Sequence, residues 1–314
     1  MKHIFIINPT AGKKDATAHI RDMAEDLRTR HGLDCICLLT EHPRHAEALA
    51  RDAAESGEEV RLYACGGDGT LHEVVNGAAG YDNAAVTCIP VGTGNDFLKN
   101  FGADAEKFTD AENLWDGEAV PLDLIDCNGR LCLTIACTGL DAQVAEDVHR
   151  FGDLPLLSGK GSYLLAVAIN FLFRKISKRW TVSLDGETFT DDFALSAVCN
   201  GRYYGGGFNP IPQARMDDGV LNTILVKKVS HLTFARLLGT YSAGRHEELT
   251  KWVRLSNARE VRISTDDGTF TTCLDGECFH SNDITMTISD KKLRFFGPGG
   301  CSCNATAKGT AVHA

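Results

Sequence analysis

Gly66-Gly67-Asp68-Gly69-Thr70 stands directly after an apolar, strand-like run at 60–65 and directly before a helix-like run at 71–79. A strand that ends in glycines and then opens a helix leaves backbone N–H groups uncovered at the helix N-terminus, where a phosphate chain can sit without side chains in its way. Asp68 adds a carboxylate able to reach a phosphate-bound magnesium ion, directly or through water. Thr70 can cap the helix or donate to a phosphoryl oxygen. The same glycines would also serve a tight strand-to-helix turn, so the pair alone decides little. A dinucleotide fingerprint fits poorly, because His72 stands where its third glycine belongs, and a Walker-type loop fits worse, because no Gly-Lys-Ser/Thr follows.

Two more loops of this kind follow strand-like runs. Residues 86–89 lead into Pro90-Val91-Gly92-Thr93-Gly94-Asn95-Asp96-Phe97, and residues 4–7 lead into Asn8-Pro9-Thr10-Ala11-Gly12-Lys13. Strands that all end in Gly/Thr/Asn loops place those loops along one edge of a parallel sheet, and ligands of open α/β sheets collect at that carboxyl edge.

The elements needed to hold these loops are legible. Residues 2–8 read as a strand, 16–31 as an amphipathic helix closed by Gly32, and 34–39 as a second strand. Residues 43–56 read as a helix with Pro43 near its start and Gly57 after its end. The β-α-β-α order predicts a parallel sheet covered on both faces. After Pro121 the character changes: strand-like residues 122–127 and 130–137 flank Asn128-Gly129, a primed-turn hairpin signal. Further short strands at 181–184, 193–199, 220–226, 261–264 and 270–274 predict a mostly antiparallel β-rich sandwich. The expected division is an α/β nucleotide-binding domain over 1–122, a sandwich over 123–296 and a flexible tail over 297–314. A helix is expected at 161–173, followed by Arg174, Lys175, Lys178 and Arg179; it is too short to span a bilayer and reads as a core helix or as an interfacial element.

The chain has 314 residues, 43% hydrophobic and 24% charged, ordinary for a soluble globular protein. A formal net charge of -10 argues against nucleic acid as a partner and gives no global attraction to anionic lipid. The N-terminus carries no export signal, which predicts a cytoplasmic protein whose 12 cysteines are reduced and packed as small hydrophobes.

The three loops, in this order and with Leu71-His72-Glu73-Val74-Val75-Asn76-Gly77 after the first, resemble the catalytic region of the diacylglycerol kinase family, its soluble bacterial lipid kinases above all. Leu274-Asp275-Gly276-Glu277 resembles that family's fourth motif. The resemblance implies an ATP- and Mg2+-dependent lipid kinase that phosphorylates a hydroxyl of diacylglycerol or a related lipid, giving phosphatidic acid. It implies peripheral association with the membrane surface, where the lipid is met, and a homodimer as a possible further partner. The fold implied is the NAD kinase/diacylglycerol kinase-like pairing of an α/β domain with a β-sandwich. Asn8, Pro9, Thr10, Ala11, Gly12, Lys13, Thr40, Gly66, Gly67, Asp68, Gly69, Thr70, Leu71, His72 and Thr93 would then bind ATP. Asp68 would stand nearest the catalytic magnesium with Asp96 in support, and Glu277 would take the lipid hydroxyl proton, with Asp275 orienting it or facing the metal. A structural magnesium site would use the Asp218 carboxylate with the carbonyls of Arg215 and Val220. Lys99 departs from the pattern, which expects arginine there and so loses bidentate geometry. A NAD kinase-like small-molecule kinase and a non-catalytic nucleotide-binding regulator are the alternatives.

Overall fold

The computed structural model describes residues 1–92, 94–152, 177–242 and 245–303. The chain forms two compact units, one from Met1–Leu124, Arg215–Asp218 and Ser289 onward, the other from Ile125–Ala214 and Gly219–Ile288.

The first unit alternates β1 (Lys2–Ile7), α1 (Thr17–His31), β2 (Asp34–Leu39), α2 (His45–Glu55), β3 (Val60–Gly66), α3 (Asp68–Ala78) and β4 (Ala84–Pro90). The strands β2-β1-β3-β4 are parallel, and β5 (Ala119–Leu122) forms the far edge of the same sheet. α1 buries Ile20, Met23, Ala24 and Leu27, the stripe that a 3.6-residue period lays on one face, and ends at Gly32 with φ of 67°. α2 and α3 approach so closely at Gly77 that a Cβ there would stand 2.3 Å from the Glu47 carbonyl oxygen, so only glycine fits.

The second unit is built from β6 (Ile125–Cys127), β7 (Arg130–Cys132), β8 (Ile135–Gly139), α4 (Leu140–Gly152), β9 (Lys178–Leu184), β10 (Glu187–Cys199), β11 (Leu221–Lys227), α5 (His231–Ser242), β12 (Val253–Ala258), β13 (Glu260–Ser264), β14 (Phe270–Leu274), β15 (Glu277–Ser281) and β16 (Asp283–Ile288). Among the described residues its pairings are all antiparallel. Strand β10 pairs with β9 along its first half and lies between β8 and β11 along its second, with a register break between Phe193 and Leu195. That break folds the sheet around a core in which Trp180 stacks on Phe193. Among the described residues, the two-residue turns Asn128-Gly129, Asp185-Gly186 and Asp275-Gly276 are of the primed kind, with positive φ at both residues.

The structure departs from the expected division at the C-terminus. The last strand, β17 (Leu293–Phe296), does not join the sandwich; it inserts between β4 and β5 of the first sheet. There Phe295 packs edge-on to Phe97, and burying that aromatic cluster outweighs staying beside the preceding strand in sequence. Nor do residues 297–303 form the expected flexible tail. A Cβ on Gly297 would lie 3.0 Å from Phe108, and Cys303 is buried, so residues 297–303 pack on the first unit. Residues 304–314, the expected helix at 161–173 and Thr93 lie outside the described residues. Lys178 and Arg179, read as the basic flank of that helix, open β9 instead. Among the described residues no helix is long and apolar enough to cross a membrane.

One buried titratable group gives this sheet a pH signature. His3 is fully buried and shares a 2.9 Å hydrogen bond with the Tyr63 hydroxyl; burial, then the nearby Arg61 charge, pulls its pKa down to about 4. Between pH 4 and the ordinary histidine value the unfolded chain therefore binds the proton that the folded chain refuses, so stability falls as the pH drops through that window. Thermal melts of wild type and His3→Gln from pH 7 to pH 4 are expected to show the acid slope shallower in the variant; parallel slopes would contradict the assignment.

Candidate active site

The carboxyl ends of four parallel strands are stitched into one rim by backbone hydrogen bonds. Thr40 N–H donates to Ile7 O at 2.9 Å, Asn8 N–H to Cys65 O at 3.0 Å, and Val91 and Gly92 N–H to Gly66 O at 2.8 and 3.2 Å. Asn8 then organises its own loop: its carboxamide oxygen accepts from the Thr10 N–H and hydroxyl, and its Nδ2 donates to Thr70 Oγ1 at 3.2 Å.

Glycine is required where these loops touch. A Cβ on Gly12, whose φ is 77°, would stand 2.3 Å from Val91 O; one on Gly92 would stand 2.6 Å from Gly67 Cα; one on Gly66 would collide with the Thr70 side chain at 2.2 Å. α3 starts at Asp68 itself, with Gly67 as an N-cap that offers no side chain. The first-turn N–H groups of a helix have no intrahelical acceptor, and together with the helix dipole they favour an anion. Gly66, Gly67, Asp68, Asn95 and Phe97 line a recess beside that turn.

Asp68 is half-buried, and its Oδ1 accepts from Phe97 N–H at 3.4 Å. A Cβ on Gly94 would lie 2.8 Å from Asp68 Oδ2, so a glycine there keeps the carboxylate's flank clear. Asp96 forms an ion pair with Lys99, which gives that departure from the family pattern a local partner. Lys13 is exposed at the loop tip. The expected nucleotide residues do not all offer side chains to the rim. Leu71 and His72 are buried, with Asn76 against the His72 backbone, and Thr70 is buried with its hydroxyl holding Asn8. No group of three or more His, Cys, Asp or Glu side chains converges as a metal cage among the described residues. Magnesium in phosphoryl-transfer sites keeps waters and phosphate oxygens and needs only one or two carboxylates, a requirement that Asp68 beside Gly94 meets.

In the second unit Asp275 sits at the first position of its primed turn, with φ of 48°. Its carboxylate accepts from the N–H groups of Leu133 at 2.6 Å, Thr134 at 2.8 Å and Ile135 at 3.3 Å, and from the Thr134 hydroxyl. That carboxylate is thus turned inward, tying the β14–β15 hairpin to the segment between β7 and β8. Glu277, the first residue of β15, is exposed. Of the expected structural metal ligands, Arg215 and Asp218 are exposed, and the Arg215 guanidinium pairs with Asp217. Gly219, with φ of 68°, and Val220 lead into β11.

All 12 cysteines are free. Cys137, Cys273 and Cys278 stand side by side on β8, β14 and β15; hydrogen bonds between the thiols and then burial push Cys273 and Cys278 up, and burial pushes Cys137 up, away from reactive thiolate. Two groups had no role assigned from the sequence, although Glu73 stands inside the stretch that follows the first glycine loop. Asp141, in the first turn of α4, accepts a hydrogen bond from the Tyr204 hydroxyl, while burial pushes its carboxyl up to about 6. Glu73, mid-way along α3, reaches across to the start of α2. Both depend on contacts far away in sequence.

Comparison with known proteins agrees with this architecture. Residues 2–127 match the diacylglycerol kinase catalytic domain, and residues 134–297 match the YegS C-terminal NAD kinase beta sandwich-like domain. A Pseudomonas aeruginosa protein named "Probable lipid kinase YegS-like" is 30% identical over 81% of this chain and 82% of its own. A Bacillus subtilis diacylglycerol kinase is 29% identical over 83% of this chain and 85% of its own. A solved diacylglycerol kinase structure from Bacillus anthracis, 20% identical, shares the fold with a TM-score of 0.67 over 94% of this chain and 96% of that one. An α/β unit with a glycine-walled rim, followed by an antiparallel β-rich unit, and both family matches in order across the chain place this protein in the bacterial lipid kinase family that includes YegS-like kinases and diacylglycerol kinases.

Proposed function

We propose that this lipid kinase transfers the terminal phosphoryl group of ATP to a hydroxyl of diacylglycerol, giving phosphatidic acid, and that it meets its substrate as a peripheral protein at the membrane surface. The observation that carries the reading is the rim of the first sheet, where the glycines at 66, 67, 92 and 94 leave main chain uncovered beside one carboxylate, Asp68. Phosphoryl transfer demands positioning and charge compensation more than covalent help, and backbone N–H groups at a helix start supply both. Gly66, Gly67, Gly69 and the Asn8 loop would hold the phosphates, and Asp68 would hold magnesium, which when bound neutralises phosphate charge. Glu277 would accept the proton of the attacking hydroxyl; its exposure at the head of β15 supports a group that must meet substrate. Asp275 would orient that glutamate indirectly, by fixing the turn two residues before it, since its own carboxylate is occupied by the 133–135 backbone.

These roles separate experimentally. Asp68→Asn is expected to lose turnover while its thermal midpoint stays near that of wild type; retained activity would exclude the magnesium role. Glu277→Gln is expected to slow single-turnover transfer by about a hundredfold or more with ATP binding intact. Asp275→Asn, in contrast, weakens acceptance from buried N–H groups and is expected to cost about 1–3 kcal/mol of stability, read by denaturant unfolding. A labelled-ATP assay offering diacylglycerol, sphingosine, phosphatidylglycerol and NAD side by side tests the acceptor: label in phosphatidic acid is expected, and label in NAD alone would establish the small-molecule kinase instead.

A further inference from the structure

α2 opens on an unfavourable backbone that something else must hold. Arg44, its N-cap, has φ of 69° and no capping side chain of its own, although a long side chain disfavours that left-handed region. The donors exposed by this start are met from another helix: Arg44 N–H donates to Glu73 Oε1 at 2.8 Å, and Ala46 N–H donates to Glu73 Oε2 at 3.0 Å. Glu73 belongs to α3, the helix that begins at Asp68. The segment it grips begins at Thr40, whose N–H is bonded to Ile7 O at the end of β1, next to the Asn8 loop. Residues 40–46 are thus fastened twice, to the rim at one end and to α3 at the other. Gly77, one turn beyond Glu73, keeps the two helices close enough for that reach.

We infer that Glu73 is a positioning residue for nucleotide binding: its carboxylate locks the Thr40 segment to the helix that starts at Asp68, so that the two present one preformed surface. The inference rests on the ATP reading above. A carboxylate accepts at both oxygens, whereas a glutamine would turn an N–H donor toward one of the two amides. The left-handed Arg44 would then lose the contact that offsets its strain, and glycine at 44 would remove that strain without restoring the contact.

The test compares wild type, Glu73→Gln and Arg44→Gly/Glu73→Gln by amide hydrogen exchange, thermal midpoint, and ATP KM and kcat with diacylglycerol in mixed micelles. In Glu73→Gln, exchange at residues 40–46 and the ATP KM are each expected to rise about tenfold, the midpoint to fall and kcat to stay within about twofold. The double variant is expected to recover the midpoint while keeping the raised KM. Unchanged exchange at 40–46 in Glu73→Gln overturns the clamp. A KM that returns with the midpoint in the double variant reduces Glu73 to a fold residue and overturns the positioning role. If wild type shows no saturation by ATP while exchange at 40–46 still rises in the variant, the nucleotide reading fails and takes the assigned purpose with it, leaving a clamp without that role.

Discussion

The first unit depends on peptide backbone packed against peptide backbone at the carboxyl edge of its sheet. Gly12 meets Val91 and Gly92 meets Gly67 at distances that leave no room for a single carbon. This closeness is costly to organise, because glycine loses more conformational freedom on folding than any other residue. It is offset by hydrogen bonds linking β1 to the β2 loop, β1 to β3, and β3 to the loop after β4. What results is a surface of N–H groups at a helix start, with partial positive charge fixed in place before any ligand arrives. Electrostatics of this kind needs no lysine or arginine, which agrees with a chain whose overall charge is negative.

The second unit relies on a different device. Its hairpins are set by primed turns, and in one of them the turn residue also supplies an internal anion. Asp275 is held in a left-handed conformation and met by consecutive N–H groups of 133–135, so the hairpin's direction is determined from both sides. Glu277 follows two residues later, exposed at the head of β15. The neighbouring thiols of Cys137, Cys273 and Cys278 pack together at the same hairpin; hydrogen bonding between thiols and then burial push Cys273 and Cys278 up, and burial pushes Cys137 up.

Local chemistry was the legible part. Alternating strand and helix periods, the glycine after α1, and the Asn128-Gly129 turn all correspond to elements within a residue or a few of where the pattern puts them. Pairing over long separations was not legible. Nothing in Leu293–Phe296 says that it inserts beside β4 rather than following β16, because an apolar strand fits either sheet and rings distant in sequence, Tyr63, Phe97, Phe101 and Phe108, favour the first. The site was readable as motifs but not as orientations. Thr70 and His72 look like ligands in a glycine-rich run, yet helical geometry from Asp68 onward rotates both into the protein, and Asp275 turns away from solvent toward orphan amides. The role of Glu73, a residue of that same run, was hidden for a related reason: its partners, Arg44 and Ala46, stand 29 and 27 residues earlier.

The central claim, that bare main chain at this edge receives the triphosphate, is tested most directly by titrating isotopically labelled protein with a non-hydrolysable ATP analogue and magnesium while following backbone amide resonances. The account predicts that the largest shifts fall on Gly66, Gly67, Asp68, Gly69 and Gly92, saturating together with one dissociation constant. Saturable shifts confined to other parts of the protein, with these amides unmoved, would contradict it.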